Sequence, residues 1–463
     1  MDPRFQPHNT HLDSPGQFTR FDPQLRQLRL LPLKHHPALL DRLPVGRPGI
    51  YTIGGGRQIG KTTLLKLWMA QLLKDGTPPE AIAYLTGELI DDHHSLVRLL
   101  TDHLGALSLA GPRYVLLDEV TYIREWDKGI KFLADAGLLE DVILVLTGSD
   151  IVVVRDARMR LPGRRGSEDV VDFRIYPLSF AETVLLEKHL TSKRCQRLAE
   201  AGSEPRAEDL ETLFRAFDDY LIHGGFLTAI NDMARDGSIL PATLAIYSDW
   251  IRGDVLKRRK QEHYLREILS AILHRAGSPV TWNNLAQELS VDHPQTVSDY
   301  VALLESMDVV CIRPALREDQ LRGAPKRARK VTFADPFIAH AINSWLHPVR
   351  DPFRSHVLGA VKNPDLVSHL VEACVASHIR RSKPTYYIKA HGEVDIAYVD
   401  GRRFWPIEVK WSQQIRPKDV GQVAKYENGS IWGRSRQFGR IQGVPVEPLP
   451  LALLRWELST AHG

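Results

Sequence analysis

The sequence predicts an α/β chain in three parts, and three stretches carry that reading. Residues 49–53 (Gly-Ile-Tyr-Thr-Ile), a glycine-rich turn, and then Leu64, Leu65, Trp68, Met69, Leu72 and Leu73 at helical spacing give a strand, a turn and a helix in order. Tyr114-Val115-Leu116-Leu117 is a continuous apolar run closed by Asp118-Glu119, the pattern of a parallel strand buried on both faces. Far downstream, residues 394–399 and 403–410 are strand-like runs around Asp400-Gly401, a preferred two-residue hairpin turn.

A chain of 463 residues with 43% apolar and 25% charged side chains can bury more than one core, so two or three domains are expected. The formal charge of +4 says little about partners, and only local clusters of cations count. Cys195, Cys311 and Cys374 stand far apart, in neither a metal-ligand nor a disulfide spacing, which suits a reducing cytoplasm. Residues 1–7 are polar and proline-interrupted, unlike a signal peptide, and no apolar run approaches the roughly 18 residues of a membrane span. A cytoplasmic protein without a membrane partner is therefore expected. Residues 1–22 read as a flexible tail, and the leucine- and proline-rich 28–43 as a lead-in to the first core.

The turn Gly55-Gly56-Arg57-Gln58-Ile59-Gly60-Lys61-Thr62 fits the phosphate-binding pattern G-x-x-x-x-G-K-[ST] at every fixed position, with Thr63 following in the helix. Its glycines let backbone N–H groups approach phosphate oxygens, and the helix N-terminus adds a positive dipole end. ATP with Mg²⁺ is the expected ligand, Lys61 reaching the β/γ-phosphates and Thr62 the metal. Residues 81–86 read as a second strand, and the run ending in Asp118-Glu119 as a third, which delivers two carboxylates at the edge where open α/β sheets bind ligands. Asp118 is the candidate second metal partner and Glu119 the base that orients water. Residues 141–150 are a fourth buried strand with a polar tip, where Thr147 or Ser149 is a γ-phosphate sensor or the start of an ordinary loop.

Arg158, Arg160, Arg164 and Arg165 surround Leu161-Pro162-Gly163, ahead of Tyr176-Pro177-Leu178-Ser179-Phe180. The combination of GGGRQIGKTTLL, LLDEV, LTGSD, LPGRR, YPLSFAE and YLIHGGF resembles the AAA-type ATPases of archaea and bacteria, many of which end in a PD-(D/E)xK nuclease-like fold. That resemblance covers about residues 30–430 and is strongest over the first two hundred. It implies nucleotide motifs at Gly60-Lys61-Thr62 and Asp118-Glu119, a sensor near Ser149, and Arg164 as an arginine finger, although a solvated basic loop is the plainer reading of any single arginine there. It also implies a homo-oligomer, a hexamer, with sites between subunits.

Residues 208–235 are helical in pattern, and 251–262 carry Arg252, Lys257, Arg258, Arg259 and Lys260, a solvated helix face or a nucleic-acid contact. Three amphipathic helices then follow over 265–275, 281–290 and 294–307, with a strand from Asp308. This is the outline of a winged helix-turn-helix, whose third helix would offer Gln295, Thr296 and Ser298 to a major groove. The basic segment Lys326, Arg327, Arg329 and Lys330 would neutralise phosphates beside the wing. Winged helices also dock proteins, so DNA and protein partners both stand.

With Asp400-Gly401 as the hairpin loop, Asp395 opposes Pro406 and Glu393 opposes Glu408. Period-two alternation then sends Glu393, Asp395, Glu408 and Lys410 to one face. Asp395 and Glu408 form a diagonal pair with Cβ atoms about 7 Å apart, near enough to share one Mg²⁺, with Lys410 beside them to orient a nucleophile. The alternative is an exposed amphipathic hairpin with a cross-strand charge pair. The cluster resembles the PD-(D/E)xK nuclease motif, which implies Glu372 on the preceding helix as a further acid; Val394 stands where the motif has its proline. The expected layout is a tail (1–22), an ATPase core (23–200), a helical lid (201–262), a winged helix (263–345) and a nuclease-like domain (346–463). The expected function is ATP hydrolysis acting on DNA, forked or branched DNA favoured, with a metal-dependent nuclease site. The alternative is a nucleotide-controlled regulatory or defence switch on a non-catalytic nuclease-like scaffold.

Overall fold

The computed structural model describes residues 2–460 apart from 107–110, 149–151, 201–203, 276, 413, 418–419 and 437. The chain divides into two compact units between Tyr176 and Pro177.

In the first unit, helices α1 (Phe18–Phe21) and α2 (Pro23–Leu30) precede an alternation of strands and helices: β1 (Gly49–Gly54), α3 (Lys61–Lys74), β2 (Ile82–Thr86), α4 (His93–Gly105), β3 (Arg113–Asp118), α5 (Trp126–Asp135), β4 (Val142–Gly148), α6 (Val152–Arg160) and β5 (Asp172–Arg174). The five strands pair in parallel in the order β2-β3-β4-β1-β5. Alternate residues of each strand feed opposite faces. Tyr51, Ile53, Tyr114, Leu116, Ile143 and Val145 pack with α3, while Ile50, Val115, Leu117, Leu144 and Leu146 pack with residues of α4, α5 and α6. Burial on both sides explains why these strands are continuous apolar runs.

The first 22 residues are no flexible tail. Phe5 and Phe18 are 0% and 1% exposed. The side-chain amide of Asn9 behaves as a short strand, donating to Tyr84 O (2.8 Å) and accepting from Tyr84 N–H (2.8 Å) on the edge strand β2. A sheet edge with unpaired N–H and C=O groups invites pairing with other chains, and here the protein covers its own.

The second unit begins with α7 (Phe180–Leu186), α8 (Ser192–Ala199), α9 (Ala207–His223), α10 (Leu227–Asp236) and α11 (Pro241–Lys257). Helices α7 and α8 belong here and not to a core ending at residue 200, because Leu178 N–H donates to Gly225 O (2.7 Å) and Ala181 N–H to Glu457 Oε2 (2.6 Å). Gly225 is required at that approach: a Cβ there would lie 2.1 Å from Leu178 O.

Helices α12 (Glu262–Arg275), α13 (Trp282–Glu288) and α14 (Pro294–Ser306) lead into an antiparallel ribbon of β6 (Val310–Pro314) and β9 (Arg329–Phe333), with the two-residue strands β7 (Leu316–Arg317) and β8 (Arg322–Gly323) between them. After α15 (Pro336–Leu346), α16 (Gly359–Lys362) and α17 (Pro364–Arg380) comes a mixed sheet of β10 (Thr385–Lys389), β11 (Glu393–Asp400), β12 (Arg403–Lys410), β13 (Ser430–Gly433), β14 (Gly439–Ile441) and β15 (Val444–Pro448), closed by α18 (Leu449–Thr460). Its order is β10-β11-β12-β13-β15-β14. Ile396, Ile407, Val409 and Trp411 face a core shared with α7, α9, α17 and α18, and Ala397, Ile431 and Val446 face a second cluster.

The β11/β12 register corrects the expected hairpin by one residue. Asp400 pairs with Arg403 and Ile396 with Ile407, so Gly401-Arg402 is the loop. Of these positions Gly401 alone has positive φ (+58°), the first-position requirement of a II′ turn, whereas a turn at Asp400-Gly401 needs it at both. Continued one step, this register sets Asp395 directly opposite Glu408, and Pro406 opposite Ala397.

Candidate functional site

The phosphate loop of the first unit is built by backbone geometry that only its sequence permits. Gly55 has φ +152°, and a Cβ on it would lie 2.5 Å from Ile175 O and 2.6 Å from the Ile59 side chain. Gly60, at φ +94°, stands at the N-cap of α3 with no side-chain cap, so the helix begins on bare backbone. Gln58 is left-handed (φ +59°) at the exposed tip. Arg57 donates to Tyr122 OH (2.7 Å). Lys61, 5% exposed, donates to Gly55 O (3.1 Å) and Gly56 O (2.7 Å), and its Nζ lies 3.8 Å from Glu119 Oε1. Thr62 and Thr63 occupy the first turn of α3.

Asp118 lies at the end of β3, and three hydroxyls converge on it. Thr62 and Tyr84 each donate to Oδ2 at 2.6 Å, and Thr147 donates to Oδ1. Burial, then the Asp118 charge, pushes the Tyr84 phenol well above its usual value, so it stays a donor. Thr147, at the end of β4, also accepts from Glu119 N–H (2.9 Å). Because β4 lies between β1 and β3, this hydroxyl is placed between the two motifs. Glu119 is held in the left-handed region (φ +52°), uncommon for a non-glycine residue, and a Cβ on Gly87 would meet Glu119 O at 2.4 Å.

The direct Thr62–Asp118 contact fits the two protein groups that hold Mg²⁺ in P-loop sites, where phosphates and waters complete the shell. Tyr84 is the residue that sequence reasoning misses: its strand reads as core, and a tyrosine in a strand does not announce a carboxylate partner on the next strand. Thr147 is one of two residues at the tip of the fourth strand that the sequence offers; the other, Ser149, lies outside the described residues. Arg164 is paired on the surface with Asp135 of its own chain.

In the second unit the structure gathers Glu372, Glu393, Asp395, Glu408 and Lys410, and adds two cations. Arg313 and Lys330 are cross-strand partners on the β6/β9 ribbon, 0% and 2% exposed. Arg313 donates to Glu372 Oε1 (2.8 Å) and Asp395 O (2.9 Å). Lys330 Nζ lies 3.0 Å from Glu372 Oε1, 2.8 Å from Glu393 Oε1 and 3.5 Å from Asp395 Oδ1. Asp395 Oδ2 accepts from Val409 N–H (3.0 Å), and Glu408 Oε1 pairs with Lys410 Nζ (2.6 Å). Burial raises the Asp395 carboxyl, with the Glu372 charge adding to it, and burial then the Asp395 charge raise Glu408. Burial alone would raise Glu372 too, but Arg313 and Lys330 hold it low.

These residues do not fit the metal site expected of Glu372, Asp395 and Glu408. Each acid already has a protein cation or N–H on one oxygen, Glu408 Oε2 alone being buried without a hydrogen-bond partner, and among the described residues no group of three or more His, Cys, Asp or Glu is arranged to hold a metal ion.

The nucleic-acid candidates separate. On α14, Gln295 is exposed but spent on Asp299 (2.7 Å), Thr296 and Ser298 are half-buried, and the helix bears no lysine or arginine. Lys326 and Arg327 are exposed; Arg329 is half-buried, stacked 4.4 Å from the Trp282 ring centre; Lys330 is buried in the acid cluster and is not a phosphate contact. Among the described residues no helix is long and apolar enough to cross a membrane.

Two sequence families match this chain. Residues 47–184 match one described as an AAA domain, and residues 214–348 match a domain of unknown function (DUF8612). An uncharacterized protein of Haemophilus influenzae is 24% identical over 268 residues, which span 56% of this chain and 60% of that relative. The Walker-type ATPase of Pyrococcus abyssi is similar at 17% identity and a TM-score of 0.40, over 64% of this chain and 91% of that one. The Aeropyrum pernix ORC1 protein, solved in complex with DNA, gives 15% and 0.31 over 72% and 92%, and Thermotoga maritima RuvB gives 18% and 0.30 over 62% and 84%. These likenesses are weak, and nothing about this chain's partners follows from them. The AAA match falls on the phosphate-loop sheet of the first unit and runs a few residues into the second.

Proposed function

We propose that this chain hydrolyses ATP in its first unit and binds DNA through its second. The observation that supports hydrolysis best is the convergence of Thr62, Tyr84 and Thr147 on Asp118, with Glu119 fixed beside Lys61. In this reading Lys61 binds the β/γ-phosphates, Thr62 and Asp118 hold Mg²⁺, and Glu119 orients the attacking water while Thr147 fixes its backbone. The metal supplies charge neutralisation for the transferring phosphoryl group. DNA contact rests on the exposed cations Lys257, Arg258, Arg259, Lys326 and Arg327, with α12–α14 and the β6/β9 ribbon read as a winged helix-turn-helix.

The second reading is a nucleotide-controlled switch, and the acid cluster favours it as far as the C-terminal sheet is concerned: a nuclease-like scaffold whose acids each already face a cation or N–H of the protein. Steady-state ATP hydrolysis with and without duplex, forked and four-way DNA separates the two. DNA-stimulated turnover that disappears in Glu119→Gln supports the enzyme. Slow turnover indifferent to every DNA supports the switch.

A further inference from the structure

We propose that Lys330 is the resident cation of the acidic cluster on β11 and α17, so that the chain's own ammonium engages Glu372 and Asp395, two of the three acids that a divalent metal would need. An ammonium has three N–H donors, and Lys330 faces three carboxylates, of Glu393, Glu372 and Asp395, at 2.8, 3.0 and 3.5 Å. The two shorter lengths suit ammonium hydrogen bonds and the 3.5 Å approach to Asp395 is a longer ionic contact; Mg²⁺ requires oxygens at about 2.0–2.1 Å in an octahedron. The side chain is 3% exposed, and a lysine is almost never so buried unless paired.

The ribbon is built for this task. Arg313 and Lys330 are directly opposed across β6 and β9, a like-charge arrangement that weakens a ribbon standing alone. Pressed against Glu372, Glu393 and Asp395, both cations find partners. The ribbon is also fastened beside the cluster: Ala315 bridges to Tyr387 of β10, and Tyr387 OH donates to Ala328 O (2.8 Å), two residues before Lys330. The cluster is therefore a charge lock that holds the ribbon to the C-terminal sheet and excludes divalent cations while it is closed. This inference rests on no part of the ATPase reading.

The test is a Mn²⁺ titration of the full chain without nucleotide, followed by calorimetry and by the electron paramagnetic resonance signal of free Mn²⁺. Wild type and Asp395→Asn should give superimposable curves, since the wild-type cluster takes no metal. Lys330→Met should gain a Mn²⁺ site that is lost again in Lys330→Met/Asp395→Asn, and Mn²⁺ should raise the thermal midpoint of Lys330→Met but not of wild type; Lys330→Gln serves as the second variant. A wild-type Mn²⁺ site abolished by Asp395→Asn overturns the proposal. So do folded Lys330 variants that gain no Asp395-dependent site, and unfolded ones that Mn²⁺ does not restore.

Discussion

At Asp118 three hydroxyl donors meet one carboxylate, and the division of labour among them predicts graded defects. Lys61→Ala should abolish ATP binding, measured with a fluorescent nucleotide. Glu119→Gln should keep binding and lower kcat by roughly 10²- to 10⁴-fold, the usual loss when a positioned base is removed. Thr147→Val keeps the shape but strips a partner from both Asp118 and the Glu119 N–H. A hydrogen bond to a charged group contributes about 1.5–3 kcal/mol, so a fall in kcat of roughly ten- to hundredfold with near-normal nucleotide affinity is expected. Unchanged kcat in Thr147→Val would show that the Thr147 hydroxyl is not needed to hold Glu119 in place. In the second unit, burial pushes the Glu457 carboxyl up to about 7, against the opposing pull of the Ala181 N–H. Below its ordinary value of 4.5 the carboxyl is protonated in both states, and that contribution to stability is fully present. As pH rises the unfolded chain ionises first, so the contribution is lost between 4.5 and about 7, a span worth on the order of 3 kcal/mol. Denaturant midpoints of Glu457→Gln should therefore fall less than those of wild type from pH 4.5 to 7.

Among the elements, β2 shows how local chemistry closes an edge. Asn9 satisfies both the N–H and the C=O of Tyr84, and Asn9→Ala leaves two buried backbone groups unpaired, a loss of about 1–3 kcal/mol that thermal or denaturant melting would register. Sequence alone hides this contact. Phe5 and Phe18 are isolated apolar residues in a polar, proline-broken stretch, and their partners lie far along the chain, beyond any local periodicity. The strands of the first sheet are legible because burial on both faces leaves an unbroken apolar run, and the phosphate loop because close backbone approach demands glycine at fixed places. The hairpin at 393–410 is legible as a hairpin but not in register: Asp400-Gly401 and Gly401-Arg402 are both plausible turns, and the choice depends on whether Asp400 adopts positive φ. Lys330 is inseparable from Lys326, Arg327 and Arg329 by composition, because burial is a property of what packs against a residue.

On the scale of the whole molecule, the proposed DNA binding and assembly would rest on charges left outside the two units' cores. Replacing Lys326 and Arg327 together should flatten the dependence of log K on log salt by about 1.8, near 0.9 for each phosphate no longer neutralised, in fluorescence-anisotropy titrations on duplex DNA. Lys330→Gln should leave that slope unchanged, since its ammonium faces acids and not solvent. Assembly is tested at Arg164, which lies on the surface and holds Asp135 of its own chain. A surface pair of this kind is weakly held, so it leaves the guanidinium able to turn toward a neighbour's γ-phosphate if copies of the first unit pack in a ring, the hexamer that the AAA resemblance implies. An arginine supplied in trans makes a definite prediction. Arg164→Ala chains keep an intact phosphate loop and lack a finger, whereas Lys61→Ala chains keep the finger and lack a loop. Each alone should be inactive, and a mixture should recover ATP hydrolysis at those interfaces where an Arg164→Ala loop meets a Lys61→Ala finger. Recovery should peak near equal proportions and vanish on dilution below the assembly concentration, followed by light scattering in the same samples. No recovery at any ratio, or full activity in a chain that scatters as a monomer, would place the arginine's partner within its own subunit and leave Arg164 as an ordinary surface ion pair.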